Sequence, residues 1–104
     1  MREVSVEQAL SGEAARLGGW ALKWVSPGEA GIPDRIVVLP MDRCPCCGTA
    51  ARIGAVELKA PGKEPRRLQE RQAERLRALG MPVGWTDQPA GARQWVQRLH
   101  RGLQ

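Results

Sequence analysis

The sequence predicts one mixed α/β domain, spanning residues 1–104 in the order α-β-β-β-α-β-α. Two observations support this prediction. Three segments carry apolar residues at helical spacing, and four shorter apolar runs lie between loops rich in glycine and proline. A chain of 104 residues is long enough for one such domain.

The first half of the chain predicts a helix followed by three strands. Ser5 and Gln8 have the spacing of a capping box, so a helix is expected to begin there and to end at Gly18 and Gly19. Its apolar side comprises Val6, Leu10, Ala14 and Leu17. The strands are expected at residues 20–25, 36–39 and 53–59, and the nearly all-apolar second run is typical of a buried strand.

The second half predicts a helix, a short strand and a last helix. Pro65 suits the first turn of the first of these helices, and Gly80 suits the position after its end at Leu79. Its inner stripe is expected to be Leu68, Gln72, Leu76 and Leu79. A strand at residues 83–86 follows. Asp87 is expected to cap the last helix, which runs through about Leu99 and buries Trp95, Val96 and Leu99.

The net charge of +5 lies in the last third of the chain. Residues 66–104 hold eight arginines against three acidic residues, and such a local excess favours a polyanionic partner or is simply a solvated basic surface. Arg67, Arg71 and Arg75 are spaced four apart on one helix face. They predict a phosphate-facing row or, with Glu70 and Glu74 nearby, a salt-bridged solvated face.

One group of residues suggests metal-dependent chemistry. Glu57 and Lys59 are two apart in a strand and therefore point to the same side. Asp34 stands before the second strand, so it converges with Glu57 if strands two and three are neighbours. Two convergent carboxylates suit a hard divalent cation such as Mg²⁺. Taken alone, a Glu-x-Lys triplet is more often a surface ion pair.

Several motifs in the same order resemble the VRR-NUC family, a branch of the PD-(D/E)xK nucleases. The resemblance extends from about Val6 to Val83. The motifs are Gly18-Gly19, Lys23-Trp24, Ser26-Pro27-Gly28, Gly31-Ile32-Pro33-Asp34-Arg35-Ile36-Val37, Val56-Glu57-Leu58-Lys59-Ala60-Pro61-Gly62-Lys63, Leu68-Gln69 and Leu79-Gly80. The resemblance implies a restriction-endonuclease-like core, in which helices flank a mixed sheet. It also implies a metal-dependent DNA endonuclease that uses Mg²⁺ or Mn²⁺.

The resemblance also implies roles for individual residues. The catalytic set is Asp34, Glu57, Lys59 and Gln69. The metal ligands are Glu7, Asp34, Glu57 and the backbone carbonyl of Leu58. The resemblance places Lys23 at the border of the site as a nucleic-acid contact. The other predicted nucleic-acid contacts are Lys63 and the row of Arg67, Arg71 and Arg75. The alternatives are a helix-supporting acid for Glu7, a solvent-facing side chain for Gln69 and a strand-surface lysine for Lys23. Arg35 is expected to pair with a carboxylate and not to be catalytic.

The family resemblance implies a stand-alone protein of phage or bacterial type. It implies a homodimer that acts on branched DNA such as four-way junctions, and two-fold symmetry would present two sites to two strands. No apolar run of about 18 residues and no signal peptide are found. We therefore expect no membrane association and a cytoplasmic protein, in the host cytoplasm if it is phage-encoded.

The cysteines and tryptophans leave alternatives open. Cys44 and Cys47 have the spacing of one zinc knuckle, with Cys46 beside them, but a second such pair is missing. Reduced thiols are the expectation, with a zinc shared across a dimer as the alternative. The alternative function is accordingly a non-catalytic nucleic-acid-binding module with a zinc site in this loop. The four tryptophans are expected to fill the core or a dimer interface, or else to stack on bases.

Overall fold

The computed structural model describes residues 3–41 and 50–102, without the side chain of Glu3. Its elements follow the predicted order. They are α1 (Glu3–Arg16), β1 (Trp20–Lys23), β2 (Arg35–Pro40), β3 (Ala51–Leu58), α2 (Arg67–Ala78), β4 (Val83–Thr86) and α3 (Pro89–His100). Within the described ranges, none of the helices has both the length and the apolar character needed to cross a membrane.

The four strands form one mixed sheet in the order β1-β2-β3-β4. β2 pairs antiparallel with β1 and with β3, whereas β4 runs parallel to β3. A parallel connection needs a crossover, which α2 supplies. Because β2 and β3 are neighbours, the residue before β2 and the last residues of β3 lie at the same end of the sheet.

The main core lies on the face of the sheet that α1 and α3 cover. Alternate residues of β2 and β3 point to this face, as expected for a pleated strand. Its largest fully buried side chains are Val6, Leu10, Val37, Leu39, Val56, Leu58, Val96 and Leu99. The opposite face has a smaller core in which Ala73 of α2 packs with Ala55 and Val83. Of the three helices, only α2 therefore lies on the face of the sheet to which Glu57 points.

Two glycines make room for Trp95 of α3 on the sheet. A Cβ atom at Gly84 would lie 2.5 Å from Trp95 Nε1, and one at Gly54 would lie 2.9 Å from the far edge of the same ring. Such distances are too short for real side-chain contacts, so both strands need glycine where the indole crosses them. Trp95 thus packs against the main core, as predicted.

Glu13 joins α1 to α3. Its carboxylate accepts hydrogen bonds from Arg16 and from Gln97 of α3. The bond from Arg16, followed by the bond from Gln97, lowers the pKa of Glu13 to about 2. The side chain is buried despite its charge because both carboxylate oxygens are paired.

Three predicted helix starts are wrong. α1 already begins at Glu3, so Ser5 lies inside the helix and does not form a capping box with Gln8; an acidic residue is favourable in a first turn, which allows the earlier start. Pro65 precedes α2, which begins at Arg67. Asp87 does not cap α3, because its Oδ2 accepts a hydrogen bond from the backbone N–H of Gly62 instead.

The predicted inner stripe of α2 is right for Gln72, which is buried, and for Leu76, which packs against the smaller core, but it is wrong for the two other leucines. Leu68 is exposed, Leu79 is 86% exposed, and the buried side chains are those of Gln69, Gln72 and Ala73. The helix is rotated because the small Ala73 allows close approach to the sheet, whereas the glutamines satisfy their amides with hydrogen bonds. Apolar spacing predicts a leucine face, and these polar contacts override it.

The tryptophans divide into two pairs. Trp24 and Trp95 pack against the two cores as partly buried residues. Trp20 and Trp85 are 67% and 42% exposed, so the prediction of a core role fails for these two. They lie on β1 and β4, the two edge strands of the sheet, where one side of each strand lacks a neighbour.

Candidate active site

Asp34 and Glu57 converge at one end of the sheet, as the sequence predicts for neighbouring strands. Arg35 is opposite Val56 in the antiparallel register, so Asp34 falls beside Glu57 and Leu58. The backbone N–H of Leu58 donates a 3.1 Å hydrogen bond to Asp34 Oδ1. This bond attaches a carboxylate that precedes β2 to the last residue of β3.

Glu57 is a nearly buried carboxylate, and one of its oxygens has no hydrogen-bond partner among the described residues. Its side chain is 12% exposed, and its Oε2 lies 3.7 Å from Lys59 Nζ. The same oxygen accepts a hydrogen bond of 3.2 Å from Gln69 Nε2. Among the buried side-chain nitrogens and oxygens of residues 3–41 and 50–102, only Glu57 Oε1 has no hydrogen-bond partner. An unpaired buried acceptor is costly, which makes this oxygen a candidate ligand for a cation.

The charge of Glu57 is disfavoured by its surroundings. Burial raises its pKa above the ordinary value, and the neighbouring charge of Asp34 raises it further, while Lys59 opposes the shift. Desolvation and a like charge are the two physical causes that most often perturb carboxylates at functional sites. A divalent cation between the two acids would remove both penalties.

Gln69 is held in place by the start of α2. Its Oε1 accepts a 2.8 Å hydrogen bond from the backbone N–H of Arg66, and its Nε2 is thereby directed to Glu57. The side chain is buried, so the alternative of a solvent-facing residue is excluded. The helix terminus therefore positions a donor that fixes one oxygen of Glu57 and leaves the other open.

Arg35 links Asp34 to Glu7. Its guanidinium lies 3.2 Å from Asp34 Oδ2 and 3.1 Å from Glu7 Oε2. Arg35 therefore pairs with carboxylates, as predicted. Its guanidinium lies between Asp34 and Glu7. Over the described ranges, no three side chains of His, Cys, Asp or Glu form a metal-binding group by themselves. Glu7 consequently reaches the site through Arg35.

The predicted nucleic-acid contacts are exposed. Lys23 lies at the end of β1, opposite Arg35 in the register and thus next to the residue that holds Asp34. Lys63 lies in the loop that follows β3, and Arg67, Arg71 and Arg75 are exposed along α2. Arg75 donates a hydrogen bond to Gln72 Oε1. The structure does not bring the arginine row into contact with Glu57.

A cleft of about 380 Å³ opens beside Glu57, between α2 and β4. Gln69 and Ala73 line it from the helix, and Trp85 lines it from the strand. Trp85 is the register partner of Glu57. The sequence predicts a strand at residues 83–86 but does not show which strand lies beside it, so the pairing of Trp85 with Glu57 was not predicted.

The donor set fits a hard divalent cation. Carboxylate oxygens are the ligands that Mg²⁺ and Mn²⁺ prefer, and Asp34 and Glu57 present them at one place. Over the described ranges, no histidine or cysteine joins them in a metal-binding group of three or more. All three cysteines fall within residues 42–49, outside the described residues, so the zinc alternative has no structural description.

Known proteins share both the sequence and the fold. The chain is 45% identical over 83 residues to "Putative nuclease p44" of Acyrthosiphon pisum secondary endosymbiont phage 1, and the match covers 80% of each protein. A solved structure described as a VRR_NUC domain superposes with a TM-score of 0.72 at 27% identity. That match covers 91% of this chain and 94% of the other. No family model matches the sequence.

Proposed function

The chain belongs to the VRR-NUC family of nucleases, and from this membership we propose that it is a metal-dependent endonuclease that hydrolyses phosphodiester bonds in DNA. The observation that carries the proposal is the partnerless Oε1 of Glu57, buried beside Asp34. A binding module has no need of a desolvated carboxylate beside a second acid, because such a carboxylate destabilises the fold unless a cation compensates it.

Each residue of the site has a part in this proposal. Asp34 and Glu57 hold the cation, with the backbone carbonyl of Leu58 as a further ligand. A bound Mg²⁺ or Mn²⁺ supplies a Lewis acid for the phosphodiester and lowers the pKa of a water molecule. Gln69 donates a hydrogen bond to Glu57 Oε2, which would leave Oε1 available to the cation. Lys59 offsets the negative charge that develops on the phosphate.

Glu7 acts through Arg35 in this scheme. The guanidinium of Arg35 is shared between Glu7 and Asp34, so Glu7 would orient Asp34 as a metal ligand. Partners of this kind orient metal ligands in many sites. Glu7 therefore belongs to the proposed metal site without touching Glu57 directly.

The exposed basic residues support a DNA partner. Lys23, Lys63 and the α2 row of Arg67, Arg71 and Arg75 are open to solvent on elements that flank the site. Contacts of such residues with phosphate fix the position of a duplex but carry no sequence information. We therefore propose that the enzyme selects DNA by structure rather than by sequence.

We further propose that the working unit is a homodimer that acts on branched DNA such as four-way junctions, in the cytoplasm of a host cell. One chain of 11.4 kDa spans few base pairs, whereas a two-fold pair presents two sites to two strands. A domain of this size also gains stability from a second subunit. The phage origin of the relative supports the host location.

The test is a cleavage assay on three substrates: a four-way junction, a flap and a linear duplex. Each substrate is incubated with Mg²⁺, with Mn²⁺ or with chelator. Separate reactions contain the wild type, Glu57→Ala or the exposed-loop control Glu64→Ala. We expect cleavage by the wild type and the control with metal only, and the junction is expected to be cut fastest. Absence of metal-dependent cleavage of any substrate would overturn the nuclease proposal, and binding without cleavage would favour a binding module.

A further inference from the structure

Trp85 lies beside the catalytic carboxylate and remains open to solvent. In the parallel pairing of β3 and β4, Trp85 is the partner of Glu57, so both side chains point to the α2 face of the sheet. The indole is 42% exposed although its neighbours Val83 and Thr86 are buried. The ring is therefore not part of either core and leaves an apolar surface at the site.

The ring forms one wall of the cleft that begins at Glu57. The opposite wall is α2, which contributes Gln69, Glu70, Glu74 and Arg77. The cleft volume of about 380 Å³ falls in the range of sites for small organic groups, roughly 300–1,000 Å³. It is therefore large enough for a flat aromatic ring stacked on the indole.

The charges in the cleft favour a base over a phosphate. Glu70 and Glu74 line the wall opposite the indole, and their carboxylates would repel a phosphate. Arg77 is the single cation among the described residues that line the cleft, against the carboxylates of Glu57, Glu70 and Glu74. Its Nε donates a 2.9 Å hydrogen bond to the carbonyl of Val83. Carboxylates instead accept hydrogen bonds from the amino groups of a nucleobase, while an exposed indole stacks on its face.

We propose that this cleft is a nucleobase subsite, in which Trp85 stacks on the base of a nucleotide adjoining the scissile phosphate. The proposal rests on the proposed nuclease function and names the substrate class more closely. Inside a duplex both faces of a base are covered by its neighbours, so the base must be unpaired or turned out of the stack to reach the indole. The subsite thus selects DNA in which a nucleotide at the cut is unpaired, as in a flap, or is readily turned out of the stack, as at the branch point of a four-way junction.

The first test measures stacking directly, without metal and without cleavage. Flap and single-stranded oligonucleotides carry the fluorescent base 2-aminopurine at successive positions around the cut, and stacking on an indole quenches its emission. The variants are Trp85→Leu and Trp85→Phe. The control Trp20→Leu removes another exposed tryptophan, at the opposite edge of the sheet. Circular dichroism and light scattering verify that each variant keeps its fold and oligomeric state.

We expect the wild type and Trp20→Leu to quench one position strongly. Trp85→Leu should lose that quenching and bind the oligonucleotide about tenfold more weakly, in line with typical base–aromatic stacking. Trp85→Phe should retain part of the affinity, because a phenyl ring still stacks. Equal quenching by Trp85→Leu and the wild type would overturn the subsite, as would a changed molecular mass in Trp85→Leu, which would place the indole in a subunit contact.

The second test uses cleavage with metal. Replacing the nucleotide at the quenched position by an abasic one should lower kcat/KM of the wild type about tenfold, while Trp85→Leu should cut both substrates at the same reduced rate. Metal-dependent cleavage that is indifferent to both changes would overturn the subsite and leave the nuclease proposal standing. A wild type that neither binds nor cuts DNA would overturn both.

Discussion

Leu58 and Asp34 are joined by a hydrogen bond of 3.1 Å from the backbone N–H of the first to Oδ1 of the second. Leu58 is itself fully buried in the main core, so this hydrogen bond anchors Asp34 to a closely packed strand. Arg35 holds the other carboxylate oxygen. The proposed first metal ligand is therefore fixed on both oxygens before any cation binds, which is the preorganisation that metal sites need.

Asp34→Asn should separate this structural role from metal binding. The amide oxygen of asparagine still accepts the hydrogen bond from Leu58, but the negative charge is lost. We expect a folded protein whose affinity for Mn²⁺ falls at least about tenfold and whose cleavage rate falls about 100-fold or more. Calorimetric titration with Mn²⁺ in the absence of DNA measures the first effect.

The matched control for this variant is Asp87→Asn, because Asp87 also accepts a backbone N–H bond, from Gly62. It should bind Mn²⁺ as the wild type does. Equal Mn²⁺ affinities for Asp34→Asn and the wild type would show that Asp34 is not a ligand.

Gln69→Glu should disturb Glu57 while preserving the start of α2. A carboxylate at position 69 still accepts the N–H of Arg66, but it cannot donate to Glu57 and adds a like charge. The pKa of Glu57 should rise further. We expect cleavage at neutral pH to fall about tenfold and the acidic limb of the pH–rate profile to move to higher pH.

Gln69→Ala is the comparison for that profile. It removes the donor without adding charge, so the acidic limb should move less than in Gln69→Glu, although the helix start loses an acceptor. Identical profiles for the two variants would show that Gln69 acts on the stability of α2 and not on the charge of Glu57.

Glu57 should destabilise the metal-free fold at neutral pH. Its pKa is raised above the ordinary 4.5, first by burial and then by Asp34, so the folded state holds the proton more tightly than the unfolded state. Stability then falls as the pH rises from below 4.5 through the raised value. We expect Glu57→Gln to melt at a higher temperature than the wild type at pH 7 in chelator, and the difference should vanish in acid.

Added Mn²⁺ provides the control for the melting experiment. The cation should stabilise the wild type and not Glu57→Gln, because only the ionised carboxylate binds it. A Glu57→Gln protein that melts below the wild type in chelator at pH 7 would contradict the picture of a strained, desolvated carboxylate. Active-site residues commonly show such a conflict between stability and function.

Gly84→Ala should destabilise the main core. The added Cβ would lie 2.5 Å from Trp95 Nε1, and displacing a packed indole costs about 1–3 kcal/mol. Gly12→Ala is the opposite case, since nothing lies within 4 Å of a Cβ added in α1. It should stabilise the protein by about 0.5–1 kcal/mol. Urea denaturation measures both, and equal stabilities would contradict the placement of Trp95 across β4.

The sequence alone predicted the order of the helices and strands, and it predicted that the carboxylates of Asp34 and Glu57 lie close together. Asp34 and Glu57 lie next to strands whose apolar runs are unmistakable, and antiparallel neighbours bring them together. The rotation of α2 was not predictable from apolar spacing, because it depends on hydrogen bonds that Gln69 and Gln72 make with distant residues. The place of Trp85 depends on strand register, which a single sequence does not specify.

Glu7 illustrates a second limit. Its spacing in α1 and the family resemblance place it near the acids, but its immediate partner is Arg35, a residue that the sequence assigns only to some unspecified carboxylate. The partners of long side chains depend on the tertiary structure, and local periodicity does not predict them.

The proposed function requires that Asp34 and Glu57 hold the cation on which DNA cleavage depends. Cleavage of a four-way junction is to be measured across a Mn²⁺ titration for the wild type, Glu57→Gln and the loop control Glu64→Gln. We expect cleavage by the wild type and the control to rise with Mn²⁺ and to stop in chelator, and we expect Glu57→Gln to be slower by about 100-fold or more at every concentration. Cleavage by Glu57→Gln at the wild-type rate, or wild-type cleavage in chelator, would show that these two acids do not hold a cation that cleavage needs.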